Sequence, residues 1–341
     1  MTITAGRINK IFGSLEAAGF PRSFQKSLLP DWVTPEVLTD DAASSEIAAI
    51  LAQRLGLRVS PLFAQTPHVE SLRRTNPKYK RSIPNKSKNL LAATSVAVAV
   101  AEAVAAACEI EFKPFPETAA KMRTLALGKI GGKWLGLRTL LMMCWAHGVP
   151  VVYLDDVGDG MPKMDGMVVH TKSRPVIILS KASTLWAWQL FVLAHEMAHL
   201  ALGHLEPDEI LVDEELGTDS YAMEDSDPDE RAADSFAIEL LNGRKDATYK
   251  VSGEHVNANE LADTAYRFGT ENQIDPGHIV LNYAHDSGDW KVGMAAAKIL
   301  QGNNPPATDV INEATWANIE QSALPDDTIE FLRKATGAVT Q

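Results

Sequence analysis

The sequence predicts an α+β fold: a small β-sheet packed on one long apolar helix, with helical regions before and after it. Three observations carry this prediction. Short runs rich in apolar and β-branched residues, VPVVYL (149–154), GMVVHT (166–171) and RPVIILS (174–180), read as strands. They lead into TLWAWQLFVLAHEMAHLALGHL (184–205), which is too long for a buried strand and reads as a buried helix. On both sides of this block the apolar residues fall at helical spacing.

Residues 1–70 are expected to form a helical region. Within it EIAAILAQRLGL (46–57) has helical apolar spacing and stops near Gly56. SLRRTNPKYKRSIPNKSK (71–88) holds seven Lys or Arg, two prolines and no acidic residue. Residues 71–89 therefore read as a basic linker, a solvated connector first and a DNA contact second. The core is expected over 90–245. LLAATSVAVAVAEAVAAAC (90–108) is dominated by alanine and interrupted by Glu102, so it reads as a buried helix and not a membrane span.

KPFPE (113–117) makes a turn, and the helix ending in LRTLLMMCWAHG (137–148) has Gly148 placed as its C-terminal cap. Lys172-Ser173 joins the second and third strands. After the long helix, residues 206–230 carry 12 acidic side chains among 25 and read as a solvated loop. DERAADSFAIELL (229–241) is a further helix. Residues 246–341 form a C-terminal helical region that includes NELADTAYRFG (259–269) and GHIVLNYA (277–284).

The 341 residues carry a net charge of -12, which argues against non-specific nucleic-acid binding by the chain as a whole. Cys108 and Cys144 cannot make a disulfide framework. MTITAGRINKIFGSLEAAGF lacks the apolar core of a secretory signal. A cytoplasmic location with no membrane attachment is expected.

The long helix contains LAHEMAHLALGH (193–204), which places ionisable groups in an apolar run. His195 and His199 are four apart, hence on one helical face, one turn from each other. Two imidazoles so placed can bind one zinc ion, and the neighbouring Glu196 can act as a general base. Without such a partner, burying these groups would cost several kcal/mol, on the order of the unpaired polar-group penalty. The extended pattern HExxHxxGxxH fails in register, because Leu202 and Leu205 stand where glycine and histidine are required. His204 is turned away from the two-histidine face and reads as a supporting side chain. In DERAADSFAIELL, Glu230 falls at the N-terminal end of an inward stripe of Ala233, Ala237, Leu240 and Leu241. It is either a third ligand or a first-turn carboxylate favoured by the helix dipole. Asp234, one turn on, suits the free N–H of a metal-bound histidine.

LAHEMAHLALGHL followed by ERAADSFAIELL resembles the ImmA/IrrE family of zinc metallopeptidases. The second helix of that family has the form E-x-x-A-[N/D]-x-F-A-x-x-L-L. Glu230, Ala233, Asp234, Phe236, Ala237, Leu240 and Leu241 fill it in register, with Asp234 in place of the more common Asn. The strands before the zinc helix are also similar, and the resemblance spans about 137–245. It implies a zincin-like metallopeptidase core with one zinc ion held by His195, His199 and Glu230, and Glu196 as the catalytic base. It further implies an endopeptidase whose protein substrate is a DNA-binding repressor, in stress or mobile-element regulation. Tyr221, His170, His278 and Tyr283 are candidates for oxyanion stabilisation. The alternative is a regulatory DNA- or protein-binding module that keeps zinc as a sensor or structural element.

Overall fold

The computed structural model describes residues 6–70, 78–80, 87–129, 132–155, 164–206, 209–213, 227–250 and 256–338. Helices α1 (Arg7–Ala17), α2 (Arg22–Ser27), α3 (Ser44–Arg54) and α4 (Val59–Leu62) open the chain. Strand β1 (Lys78–Lys80) precedes α5 (Ser87–Ala107), α6 (Ala119–Lys129) and α7 (Leu137–Ala146). Strands β2 (Val151–Tyr153), β3 (Gly166–His170) and β4 (Pro175–Leu179) lead into α8 (Trp186–Ala201), then β5 (Ile210–Asp213) and α9 (Pro228–Asn242). The chain continues through α10 (Ala258–Asn272), α11 (Pro276–Ser287), α12 (Trp290–Gln301), α13 (Ala307–Asn318) and α14 (Asp326–Ala335).

The strands form one five-stranded mixed sheet in the order β1-β5-β3-β4-β2. β3 is antiparallel to both of its neighbours, while β2 runs parallel to β4 and β1 parallel to β5. The β3–β4 hairpin turns at Lys172-Ser173, as the sequence predicts. Thr171 closes it: its hydroxyl accepts from the Arg174 N–H at 3.2 Å and donates to the Arg174 carbonyl at 2.7 Å. Two strands form where the sequence shows no strand pattern. β5 lies inside the acidic stretch, and β1 inside the basic segment expected to be a linker.

Strand side chains alternate between two buried faces, as a period of two requires. Val152, Met167, Val169, Val176, Ile178, Ile210 and Val212 point to one cluster. Val151, Tyr153, Val168, Ile177 and Leu179 point to the other. The first face is covered by α5, which in turn packs against Ile8, Phe12, Leu15, Ile47 and Leu51 of the N-terminal helices. The N-terminal region therefore shares one hydrophobic cluster with the sheet. Arg54 ties the end of the chain into this layer, donating to the carbonyls of Leu28 and Asp327 with its guanidinium over the Phe331 ring. The second face carries α8, through Leu190, Leu193, Ala194 and Met197, together with α7, α9 and α13. A third cluster, from α10, α11 and α12, closes over the N-terminal end of α8 at Leu185. No helix among the described residues is long and apolar enough to cross a membrane.

Strand β2 is a sheet edge, and α13 seals it with side chains. Asn312 accepts from the Tyr153 N–H at 3.0 Å and donates to the Tyr153 carbonyl at 3.0 Å and to the Thr336 carbonyl at 2.8 Å. Thr315 donates to the Val151 carbonyl at 2.7 Å. An exposed edge would be a template for pairing with another chain, and this arrangement removes it. Asn312→Leu leaves three buried backbone groups unsatisfied and should lower stability by about 2–4 kcal/mol. Urea denaturation measures it, and an unchanged midpoint would contradict the sealing role.

Candidate metal centre

Helix α8 ends in a turn that shapes the site. Gly203 takes a left-handed φ of 71°, the His204 N–H donates to the His199 carbonyl at 3.0 Å, and the Gly203 N–H donates to the Leu200 carbonyl at 3.4 Å. This is the double hydrogen bond of a Schellman cap, which needs a residue free of a Cβ penalty at the left-handed position. The expected helix to residue 205 therefore stops at Ala201. Helix α9 starts as sharply: the Asp227 carboxylate accepts from the Asp229 N–H at 2.9 Å and Pro228 takes the first helical position. Glu230 thus stands in the first turn of α9, facing α8. Ala194 and Ala198 on α8, and Ala233 and Ala237 on α9, are all buried and let the two helices approach closely.

His195, Glu196, His199 and Glu230 are each 0% exposed. The Nε2 atoms of His195 and His199 lie 3.0 Å apart. One Glu230 oxygen is 3.4 Å from His195 Nε2, and the other is 3.4 Å from His199 Nε2. The three side chains form one group whose ligand atoms all lie within 4.8 Å of one another. Three atoms bonded at about 2.0–2.1 Å to one tetrahedral centre would be about 3.3 Å apart. Two imidazole nitrogens and a carboxylate oxygen are also donors that zinc accepts at catalytic sites. The residues present fit a single such ion.

The outer nitrogens of both imidazoles are held as well. His195 Nδ1 lies 2.9 Å from Asp234 Oδ1, a close polar contact on the side of the ring away from the cluster, toward which Nε2 points. His199 Nδ1 lies 2.8 Å from His204 Nδ1, and His204 Nε2 is 3.9 Å from an Asp229 oxygen. His204 is thus absent from the converging group, as its register predicts, and supports His199 from behind. The cap at Gly203 brings it there. Phe191, one turn before His195, has its ring centroid 6.5 Å from that imidazole and 6.5 Å from His278, on which it stacks.

Residues 144–246 match the family model described as the IrrE N-terminal-like domain, Peptidase M78. The match is consistent with the ImmA/IrrE resemblance. It begins in α7, ends just after α9, and so contains β2 to β5 and both helices of the centre. No curated protein and no solved structure gives a significant match to the chain. The matched segment thus covers strands β2 to β5 and the converging side chains, whereas β1 and the layers built from residues before 144 and after 246 lie outside it.

The other sequence candidates are scattered around this domain. Glu196 reaches β3 at Gly166, the opposite end of the strand from His170, which four strand residues place about 13 Å away. His170 instead contacts the Thr171 carbonyl through Nδ1 at 2.8 Å and meets Phe112 edge-on. Tyr283 packs among α10–α12. Tyr221 lies outside the described residues. His278 is buried, its Nε2 accepting from Asn242 and Asn282 at 3.0 Å each. Sequence reading missed this network, because each asparagine looks like an ordinary helical polar residue until α9 and α11 meet. Gly166 was also missed, although a glycine inside a strand signals a close approach.

Burial, with Arg123 adding to it, pushes the His278 pKa down from 6.5 to about 3. Between those values the unfolded chain binds a proton that the folded chain excludes, so this group's contribution to stability falls as pH falls. Asp275, whose carboxylate accepts from the His278 N–H at 3.1 Å, is raised by burial from 3.8 to about 6 and opposes that loss within its own window. His278→Gln keeps an acceptor and removes the imidazole titration. Its melting temperature relative to the parent should rise as pH is lowered from about 7 to about 4.5. A difference that stays constant over that range would contradict a buried neutral imidazole.

Proposed function

We propose that this protein is a zinc-dependent endopeptidase that hydrolyses a peptide bond in a protein substrate. The reading rests on one observation above all: His195, His199 and Glu230 converge from two helices, with Glu196 next to the first histidine and equally buried. His195, His199 and Glu230 would hold one zinc ion, leaving a position for solvent or substrate. When bound, zinc supplies Lewis acidity that polarises a carbonyl and makes water nucleophilic near neutral pH. Glu196 accepts the proton of the attacking water and returns it to the nitrogen of the leaving amine. Asp234 and His204, set against the outer nitrogens of His195 and His199, would orient the two rings with Nε2 toward the ion.

The substrate in this proposal is a DNA-binding repressor, with cleavage serving stress or mobile-element regulation in the cytoplasm. Support comes from the ImmA/IrrE resemblance and from charge. The acidic run 206–230 joins the two helices that carry the centre, so a basic protein would be drawn toward it.

Glu196→Gln separates this reading from a zinc-bearing binding module. The variant should keep one zinc per chain and lose about 10²–10⁴ in turnover. The measurement is digestion of a proteome-derived peptide library by the zinc-loaded parent and variant, read by mass spectrometry. Equal patterns from both proteins, or no cleavage by the parent, would contradict the proposal.

A further inference from the structure

Strand β3 begins with a glycine where its neighbours are Met, Val and Val. Glycine weakens a strand interior by about 0.5–1 kcal/mol relative to alanine, so its presence calls for a local reason. The backbone does not supply one, because Gly166 is absent from the residues with positive φ. A side chain from α8 does. A Cβ built on Gly166 would lie 1.9 Å from Oε1 of Glu196, 2.7 Å from its Cδ and 3.1 Å from its Cγ. Three consecutive atoms of one side chain are involved, so rotating the carboxylate tip alone would not clear the clash.

Both partners are buried. Gly166 is paired on one side with Leu179 of β4 and on the other with Asp213 of β5, so the strand is held from both flanks. Glu196 is 0% exposed, between His195 and Met197, which are also at 0%.

We propose that Gly166 is a positioning residue for Glu196: its missing side chain leaves a notch in β3 in which the outer half of the glutamate seats. The notch sets the carboxylate against the strand beside the imidazole pair. The steric claim stands without the peptidase reading, and only its consequence for turnover rests on it.

Melting temperatures of the full-length parent, Gly166→Ala, Glu196→Ala and the double variant test the fit. Gly166→Ala should lower the melting temperature by about 4 °C or more, the scale of overpacking in a chain of this size. In the Glu196→Ala background the same substitution should cost less than half as much, since the notch is then empty. A drop of equal size in both backgrounds, or no drop in either, would overturn the proposal. If Gly166→Ala does not fold, a folded double variant supports the proposal and an unfolded one overturns it.

Zinc titration against a chromophoric chelator supplies the second readout. Folded Gly166→Ala should hold zinc within about tenfold of the parent while its turnover falls as far as that of Glu196→Gln. Loss of zinc binding together with turnover would show a general collapse of the centre and overturn the positioning role. If the parent itself shows no turnover, the peptidase reading fails while the melting comparison still decides the steric claim.

Discussion

Four ionisable side chains with no solvent exposure, set between the apolar helix α8 and the inward face of α9, are the constraint on which this structure depends. Each would be costly to bury alone, because an unpaired imidazole or carboxylate in an apolar setting loses its hydration without replacement. The arrangement answers that cost by convergence. Glu230 spans the two Nε2 atoms, Asp234 takes the outer nitrogen of His195, and His204 takes that of His199. The backbone at the helix ends is cut to suit: a left-handed glycine stops α8 so that His204 folds back, and an Asp-Pro pair starts α9 so that Glu230 falls in its first turn.

The sheet supplies the floor beneath this centre. Its two faces are both buried, so α8 rests on one layer of apolar side chains while the N-terminal helices and α14 clamp the other through α5. Strand β3 lies inside the sheet, paired on both sides, and is therefore a firm surface for Glu196 to press against. The edge at β2 is closed by Asn312 and Thr315, and the N-terminal end of α8 by α10–α12. Together these contacts restrict the axial position and the rotation of α8, which is what fixes the directions of His195 and His199.

The parts legible in the sequence were those governed by local periodicity. β2, β3 and β4 announce themselves by apolar runs, and His195 and His199 by a spacing of one helical turn. Glu230 was readable because it continues the inward alanine stripe of α9. The parts that were hidden depend on partners distant in sequence. β5 has only Ile210, Leu211 and Val212 to mark it among acidic neighbours, and β1 is KYK with no apolar pattern, so each is a strand only because another strand pairs with it. Rotation angles removed His204 from the ligand face, yet its bond to His199 follows from the turn at Gly203. Which end of β3 meets α8 could not be read locally, and that left His170 as a candidate at the wrong end of the strand.

α8 and α9 bring two imidazoles and one carboxylate together in a group that fits a single divalent ion. Zinc-edge X-ray absorption on the zinc-loaded protein, paired with metal stoichiometry for the parent and for Glu230→Ala, tests it most directly. One zinc per chain is expected, with nitrogen and oxygen neighbours at about 2.0–2.1 Å, imidazole scattering from two rings, and loss of tight binding in the variant. A sulfur neighbour near 2.3 Å, or full zinc retention without the Glu230 carboxylate, would contradict it.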